Sequence, residues 1–364
     1  MTSTLPPGRI RERLDDFVVE EIPAYAPSGE GEHVFVRFTK TAMTTVDAVR
    51  AIASALSCDV REAGHAGLKD KWAVTTQTIS LHAPRGVPAS EVASRARETS
   101  LEGISVLDAT PHGHKIKPGH LSGNRFAIVV RNVPDDRVSE VALALERVQR
   151  EGVPNAFGPQ RFGIAGDNAS RALAWLSGKE RGPREPRMQR FLWSSLQSAI
   201  YNRVLDARVE VGTWTTPLEG DFLKLRSSGG LFVCTDVQTD TARAQAGEVS
   251  PTGPIVGVRM PWPTGVPCDL ERRIVAETLG EDFDLARTRR LGEGSRRALR
   301  LWVGDLQWEI VHDDPGNAAA CVRVYFVLPK GAYATTVLAA AIAVEESRVR
   351  GGPSPAGQAE EEGA

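Results

Sequence analysis

The run Ala66-Gly67-Leu68-Lys69-Asp70-Lys71-Trp72-Ala73-Val74-Thr75-Thr76-Gln77 is the densest stretch of unusual residues in the chain, and it leads into a strand candidate, Val74 to Leu81. Gly67 permits a backbone that other residues resist. Asp70 is a carboxylate set between two ammonium groups, Lys69 and Lys71. Taken alone, such a triplet reads as a charged, solvated turn. Its surroundings decide whether it is more.

Working outward, Asp16 to Ile22 reads as a strand and His33 to Thr39 as another, with Val34, Val36 and Phe38 alternating against Phe35 and Arg37. Pro27-Ser28-Gly29-Glu30-Gly31 has the chemistry of the turn between them. Thr44 or Thr45 caps a helix whose Val46, Val49, Ile52, Ala53 and Leu56 form an apolar stripe that should pack on the sheet. Arg125 to Val133 is a further strand, so continuously apolar from Phe126 to Val130 that burial on both faces is expected.

Past residue 153 the pattern turns helical, with Ser170 to Leu176 and then Phe191 to Val211, where Leu192, Leu196, Ala199, Ile200, Val204 and Leu205 share a face. Pro251 to Pro267 carries prolines at 251, 254, 261, 263 and 267, too many for a helix or central strand, so a structured loop is expected there. Helix is expected from about Leu270 to Leu301, an alternating strand from Cys321 to Leu328, a last helix from Thr335 to Ser347, and a disordered tail over 351–364. No repeat is visible, which removes solenoids and propellers. The sum is an α+β protein with a middle section of different character inserted into it.

Composition narrows the class. The 364 residues exceed one typical core, and 41% hydrophobic with 25% charged residues is ordinary for a globular chain. A net charge of -2 gives no global basic signature, so nucleic-acid binding has to come from local clusters. Cys58, Cys234, Cys268 and Cys321 stand singly, with neither a zinc pair nor a disulfide framework. With no basic-then-apolar leader and no run of about 18 apolar residues, a soluble cytoplasmic protein is expected.

Several separated stretches then agree in order. Residues 66–77 resemble the active-site motif of the TruD family of tRNA pseudouridine synthases: Gly, any residue, Lys-Asp, then Ala, Thr and Gln at set positions. Upstream, Asp15-Asp16-Phe17-Val18-Val19-Glu20-Glu21 and Gly29-Glu30-Gly31-Glu32-His33 are similar to the family's opening. Downstream come Gly123-Asn124-Arg125-Phe126, then the block from Gly152 to Gly163, then Leu328-Pro329-Lys330-Gly331-Ala332-Tyr333-Ala334-Thr335. The resemblance covers nearly all of the chain to about residue 345. It departs at Ala156, where an aromatic is usual and its loss is expected to loosen the turn, and at Tyr333, where some members carry phenylalanine.

The resemblance implies a pseudouridine-synthase-type mixed, mainly antiparallel sheet with helices over 1–153 and 304–350, an inserted α/β TRUD domain over 154–303, and isomerisation of uridine in tRNA, at position thirteen by preference. It assigns the catalytic role to Asp70 and substrate contacts to Phe17, Asn124 and Tyr333, with Arg11, Lys69 and Phe126 as further contacts. Phe17 and Phe126 also suit plain strand core, Asn124 a turn, and Arg11 surface charge.

Pseudouridine formation breaks the N1–C1′ bond, rotates the uracil and rejoins it through C5, so neither a redox step nor an external group is needed, and no nucleotide cofactor, other cofactor or metal is expected. An ionised carboxylate serves either by attacking C1′ or by taking a proton from C2′ to give a glycal. A uridine within folded RNA must be flipped out and met by an aromatic face and hydrogen bonds to its edge. His112, His114 and His120 lack partners at metal-ligand spacing. Candidate phosphate contacts are His114, Lys115, Lys117, His120 and Arg125; Arg181, Arg184, Arg187 and Arg190; and Arg287, Arg289, Arg290, Arg296, Arg297 and Arg300. The rival reading is a tRNA-binding or tRNA-folding protein that kept the scaffold without the chemistry. Oligomeric state is left open.

Overall fold

The computed structural model describes residues 5–163, 165–312 and 319–347, so the tail expected at 351–364 lies outside the described residues. The chain falls into two compact units. One is formed by the described residues up to 149 and from 303 onward, the other by 150–302.

The first unit is built on one mixed sheet, in the order Gly304–Val311, Ala319–Pro329, Leu121–Pro134, Phe17–Pro23, Val74–His82, His33–Thr41, Ile104–His112 and Ser100–Leu101. Neighbours along it are antiparallel except Phe17–Pro23 against Val74–His82, which run parallel. Pro7–Ile10 lies parallel to Ala343–Glu346 and meets Leu121–Pro134 at Arg9 and Arg131. This is the α+β, mainly antiparallel architecture that the sequence leads one to expect.

Register decides what each face carries. Val19 stands opposite Thr75 and Phe126, Glu21 opposite Asn124, and Lys40 opposite Thr75. Paired residues point to the same side of a sheet. Phe17, Val19, Glu21, Lys40, Thr75, Gln77, Asn124 and Phe126 therefore share one face. Further along that face Val34, Val36, Phe38, Ile79 and Leu81 are buried beneath the helices Thr45–Ala55 and Ala89–Glu98, which contribute Ala48, Val49, Ile52, Val92, Ala93 and Ala96. Thr44 caps the first helix by accepting from the Asp47 N–H at 3.1 Å. The other face carries charge, with Glu20 between Arg37 and Arg125.

Two expectations change here. Leu121–Pro134 alternates buried with half-buried or exposed positions instead of burying both faces, because that other face is charged. The helix expected from Thr335 to Ser347 stops at Leu338, and Ala343–Glu346 is a strand: Ala343 N–H donates to Pro6 O at 2.8 Å and Ser347 N–H to Ile10 O at 2.9 Å. Its backbone groups find partners on the N-terminal strand, a choice that apolar periodicity alone does not reveal.

The second unit pairs the long helix Pro186–Glu210, with proline in its first turn, with a sheet in the order Leu231–Val233, Phe222–Leu225, Val249–Ile255 and Ser295–Ala298. Leu192, Trp193, Leu196, Ile200 and Val204 pack with Ala172, Leu176, Ile274 and Leu279. The unit begins and ends on adjacent strands, Val153–Pro154 against Arg300–Leu301. Their close approach requires Gly152, where a Cβ would come within 2.4 Å of Leu301 O and φ is +70°.

The proline-rich loop expectation fails over 249–255. That segment is a buried strand inside the sheet, pairing over Val249–Pro251 with one neighbour and over Thr252–Ile255 with the other. No residue carries both ladders, so a missing proline N–H leaves no neighbour unpaired. The helix expected to Leu301 ends at Leu279, and Ser295–Ala298 and Arg300–Leu301 are strands. The missing ring at Ala156 does not loosen its turn: Asn155 Nδ2 donates to Ala298 O at 2.8 Å, and Asn202 Oδ1 accepts from Phe157 N–H at 2.9 Å.

The third basic cluster also divides. Arg287, Arg289 and Arg290 are exposed, whereas Arg296 is buried with Glu271 (Nη1 to Oε2 2.9 Å), Arg297 lies 4.1 Å over the Phe157 ring, and Arg300 stacks on Trp302. Those three guanidiniums bind the unit's own interior and are withdrawn as phosphate contacts. Removing one partner of a buried pair strands the other charge. Glu271→Ala is therefore expected to cost about 3–5 kcal/mol in urea denaturation, and a loss under about 1 kcal/mol would contradict this account.

Burial depresses the imidazoles of His33, His65 and His112 below their ordinary 6.5. Ser28 N–H donates to His112 Nδ1 at 3.0 Å, so His112 carries its proton on Nε2, 3.2 Å from His114 Nε2. A depressed histidine stays neutral in the folded chain while the unfolded chain takes up its proton near 6.5. The resulting stability is present above that pH and lost below it. The urea midpoint should drop between about pH 7 and pH 5.5, less steeply in His112→Asn.

Candidate active site

Asp70 sits midway along the loop between Gly64–His65 and Val74–His82, and the loop is held to the sheet face by buried polar contacts. Lys69 N–H donates to Thr45 Oγ1 at 2.9 Å, and that hydroxyl donates to Gln77 Oε1 at 3.1 Å. Lys69 Nζ lies 2.8 Å from Glu21 Oε2, both side chains nearly fully buried, while Glu21 Oε1 accepts from Thr78 N–H at 3.3 Å. Lys40, wholly buried, donates to the backbone oxygens of Met43 and Asp70 at 2.7 and 2.9 Å.

Arg11 approaches from the N-terminal segment. It follows the strand Pro7–Ile10 in a left-handed conformation (φ 62°), a costly backbone for arginine that the flanking structure enforces. Buried Asp16 helps by accepting from Arg13 N–H at 2.8 Å while binding Arg131. Arg11 Nη2 reaches Asp70 Oδ2 at 2.8 Å, Nη1 lies 3.6 Å from Glu346 Oε2, and the guanidinium covers the Phe17 ring at 4.3 Å. Asp70 is half-buried, and its Oδ1 accepts no hydrogen bond among the described residues. One carboxylate oxygen is anchored and the other is free.

Asn124 stands mid-strand, opposite Glu21 on one side and Leu328 on the other, so the turn reading lapses. Its Oδ1 is shielded from water and unpartnered, an uncommon state for a buried acceptor. Gly123 lets the strands close at this point, since a Cβ there would meet Leu328 O at 2.3 Å. Phe126 packs face to face on Phe326 at 5.3 Å and edge-on to Phe17 at 6.4 Å. Tyr333 precedes the short helix Ala334–Leu338 and is half-buried.

The structure thus joins Arg11, Phe17, Asp70 and Phe126 through direct contacts and aligns Asn124 with Glu21 on the same face. Tyr333 makes no hydrogen bond or ring contact with any of them among the described residues. Lys69, expected as a substrate contact, spends its ammonium on Glu21, and Phe126 and Phe17 are 7% and 2% exposed. Residue-level reading passed over Lys40, although it continues the inward series Val34, Val36, Phe38; a lysine in that series was the available signal.

Comparison with known proteins agrees with this architecture. The sequence model of the family described as tRNA pseudouridine synthase D (TruD) matches residues 3–172 and 183–340. A tRNA pseudouridine synthase D of Anaeromyxobacter sp. (strain Fw109-5) is 40% identical, covering 93% of this chain and 94% of that one. One from Thermus thermophilus is 36% identical, covering 95% and 92%. A crystal structure of a Methanosarcina mazei chain assigned to tRNA pseudouridine synthase D (TruD) superposes with a TM-score of 0.73 at 24% identity, over 94% of this chain and 95% of that one, and shares the fold. Sheet and similarities together define an isomerase of the pseudouridine synthase class. The chain belongs to the tRNA pseudouridine synthase D (TruD) family.

Among the described residues no helix is long and apolar enough to cross a membrane. Thr45→Val keeps the shape of the tether but leaves the Lys69 N–H and Gln77 Oε1 unpaired. It is expected to cost about 1–3 kcal/mol in chemical denaturation, and an unchanged midpoint would remove the tether from the account.

Proposed function

We infer that the chain isomerises uridine to pseudouridine in cytoplasmic tRNA, with Asp70 as its catalytic carboxylate and position thirteen as the preferred site. Family membership supports the reaction and the RNA class. The observation that carries the role of Asp70 is its divided carboxylate: Oδ2 is held by Arg11, while Oδ1 is free on a loop otherwise tied down. A nucleophile or base at the sugar needs an oxygen aimed without being occupied. The same oxygen serves attack at C1′, where the ester formed is later displaced by C5, and proton removal from C2′, where the proton is later returned; in either route the N1–C1′ bond breaks, a C5–C1′ bond forms, and the uracil loses its C5 proton and gains one at N1.

The remaining roles follow from chemistry. A uracil turned out of the RNA stack offers an imide N–H, and Asn124 Oδ1 is an unpaired acceptor for it. Phe17 supplies a ring beneath Arg11, and Tyr333 a second aromatic on the loop after Ala319–Pro329. We assign the catalytic domain to the first unit and the inserted TRUD domain to the second. Arg181, Arg184, Arg187 and Arg190, all exposed, and Arg287, Arg289 and Arg290 are the phosphate-contacting candidates in the second.

Purified protein incubated with unmodified tRNA, scored by carbodiimide-primer extension, tests the reading. Wild type should form pseudouridine. Asp70→Asn should bind tRNA within a few-fold of wild type yet lose more than about 10³-fold in rate. Equal modification by both proteins would exclude Asp70 from the mechanism, and no product from a folded wild type would leave an RNA-binding scaffold.

A further inference from the structure

Lys40 closes the strand His33–Thr41 at a position where its predecessors on the same face, Val34, Val36 and Phe38, are buried core. Its own side chain is 0% exposed. Lysine is almost never buried completely without a partner, since an ammonium removed from water needs a counter-charge or full hydrogen bonding. Among the described residues no carboxylate lies within ion-pair distance of it. It donates instead to two backbone oxygens, those of Met43 and Asp70. A methionine would fill the same space without burying a charge, so packing does not explain the residue.

The neighbouring contacts show what the charge is placed to do. Thr45 and Glu21 hold Lys69, and Arg11 holds the Asp70 carboxylate. Among the described residues Lys40 is the one side chain that holds the Asp70 peptide itself, at 2.9 Å. We propose that Lys40 is a positioning residue for the reaction: its buried ammonium fixes the Asp70 carbonyl, and so the backbone from which the carboxylate is aimed at the sugar. It touches neither RNA nor reacting atoms. This rests on the assignment of Asp70 made above.

The charges bearing on Lys40 are both on the loop, Asp70 favouring the ammonium and Lys69 opposing it, and burial outweighs them, lowering the amine to about 8. Its strand partners Thr75 and Ile104 and the adjoining helix residue Thr45 are uncharged. The charge is therefore held at neutral pH and given up in mild alkali. Because deprotonation relieves a burial cost that the unfolded chain does not bear, the fold gains stability as Lys40 loses its proton. A fall in rate from this source is not unfolding.

Single-turnover rates with saturating enzyme, for wild type and Lys40→Met across about pH 6.5 to 9, give the test. At neutral pH the variant should be slower by about 10²-fold while tRNA affinity stays within about threefold, as a misplaced group demands. The ratio of the two rates should then narrow as pH rises through about 8, because the charge-assisted bonds to Met43 O and Asp70 O weaken to those of a neutral amine. Ionisation of the uridine affects both proteins and cancels in the ratio. Equal rates at neutral pH, or a ratio independent of pH, would overturn the proposal. If Lys40→Met does not fold, Lys40→Leu, which likewise carries no N–H donor, replaces it with the same expectation. Absence of product from wild type at every pH would instead refute the function, whereas product formed equally by wild type and variant refutes only the role of Lys40.

Discussion

The strand Phe17–Pro23 lies between an antiparallel neighbour and a parallel one, and its register with both is the constraint on which the first unit's chemistry depends. Side chains alternate with a period of two, so a slip of one residue would carry Phe17 and Glu21 to the opposite face, away from Asn124 and Lys69. The Lys69 ammonium would then lose its buried carboxylate, while the tethers from Thr45 and Lys40 would remain. The parallel pairing matters for the same reason, because it sets Val19 beside Thr75 and so brings the strand that follows Asp70 into line with Glu21.

Buried charge recurs wherever the chain has to be held in one conformation. Asp16 with Arg131 fixes the turn after Arg11, Lys69 with Glu21 fixes the loop, and Arg208 with Asp221 and Arg296 with Glu271 do the same inside the second unit. Each pair gives up hydration that its mutual attraction offsets only in part, so a close-packed apolar replacement would serve stability as well or better. What apolar groups lack is direction. In the loop, directed hydrogen bonds leave a single carboxylate oxygen without a partner, and that is where reactivity is placed.

The places where local pattern misled share one cause. Proline was weighed as a breaker over 251–267, yet a strand that passes its two ladders to different neighbours in succession has no use for the missing donors. The segments 295–298, 300–301 and 343–346 are short and mixed in character, and pairing with distant strands decided their conformation, with Thr252–Ile255, Val153–Pro154 and Pro7–Ile10 respectively. Arginines 296, 297 and 300 looked like a basic surface because sequence counts charges without their partners: Glu271 is 25 residues away from Arg296 and Asn155 is 142 from Arg297.

By itself the sequence determined the α+β class, the strands around Phe17, His33 and Val74, a helix cap at Thr44 or Thr45, and membership of a family through ordered blocks that local chemistry alone would have left as a charged turn. These are short-range properties, set by period, propensity and residue identity along the chain. Only the tertiary structure decided that Lys69 faces Glu21 instead of a ligand, that Arg11 lies across Phe17 on its way to Asp70, and that a fully buried lysine holds the peptide of the candidate catalytic residue. The hydrogen bonds among them join residues 30 to 59 positions apart. They exist only once the sheet has chosen its order and register, because no local preference specifies which distant atom will fill a hydrogen bond.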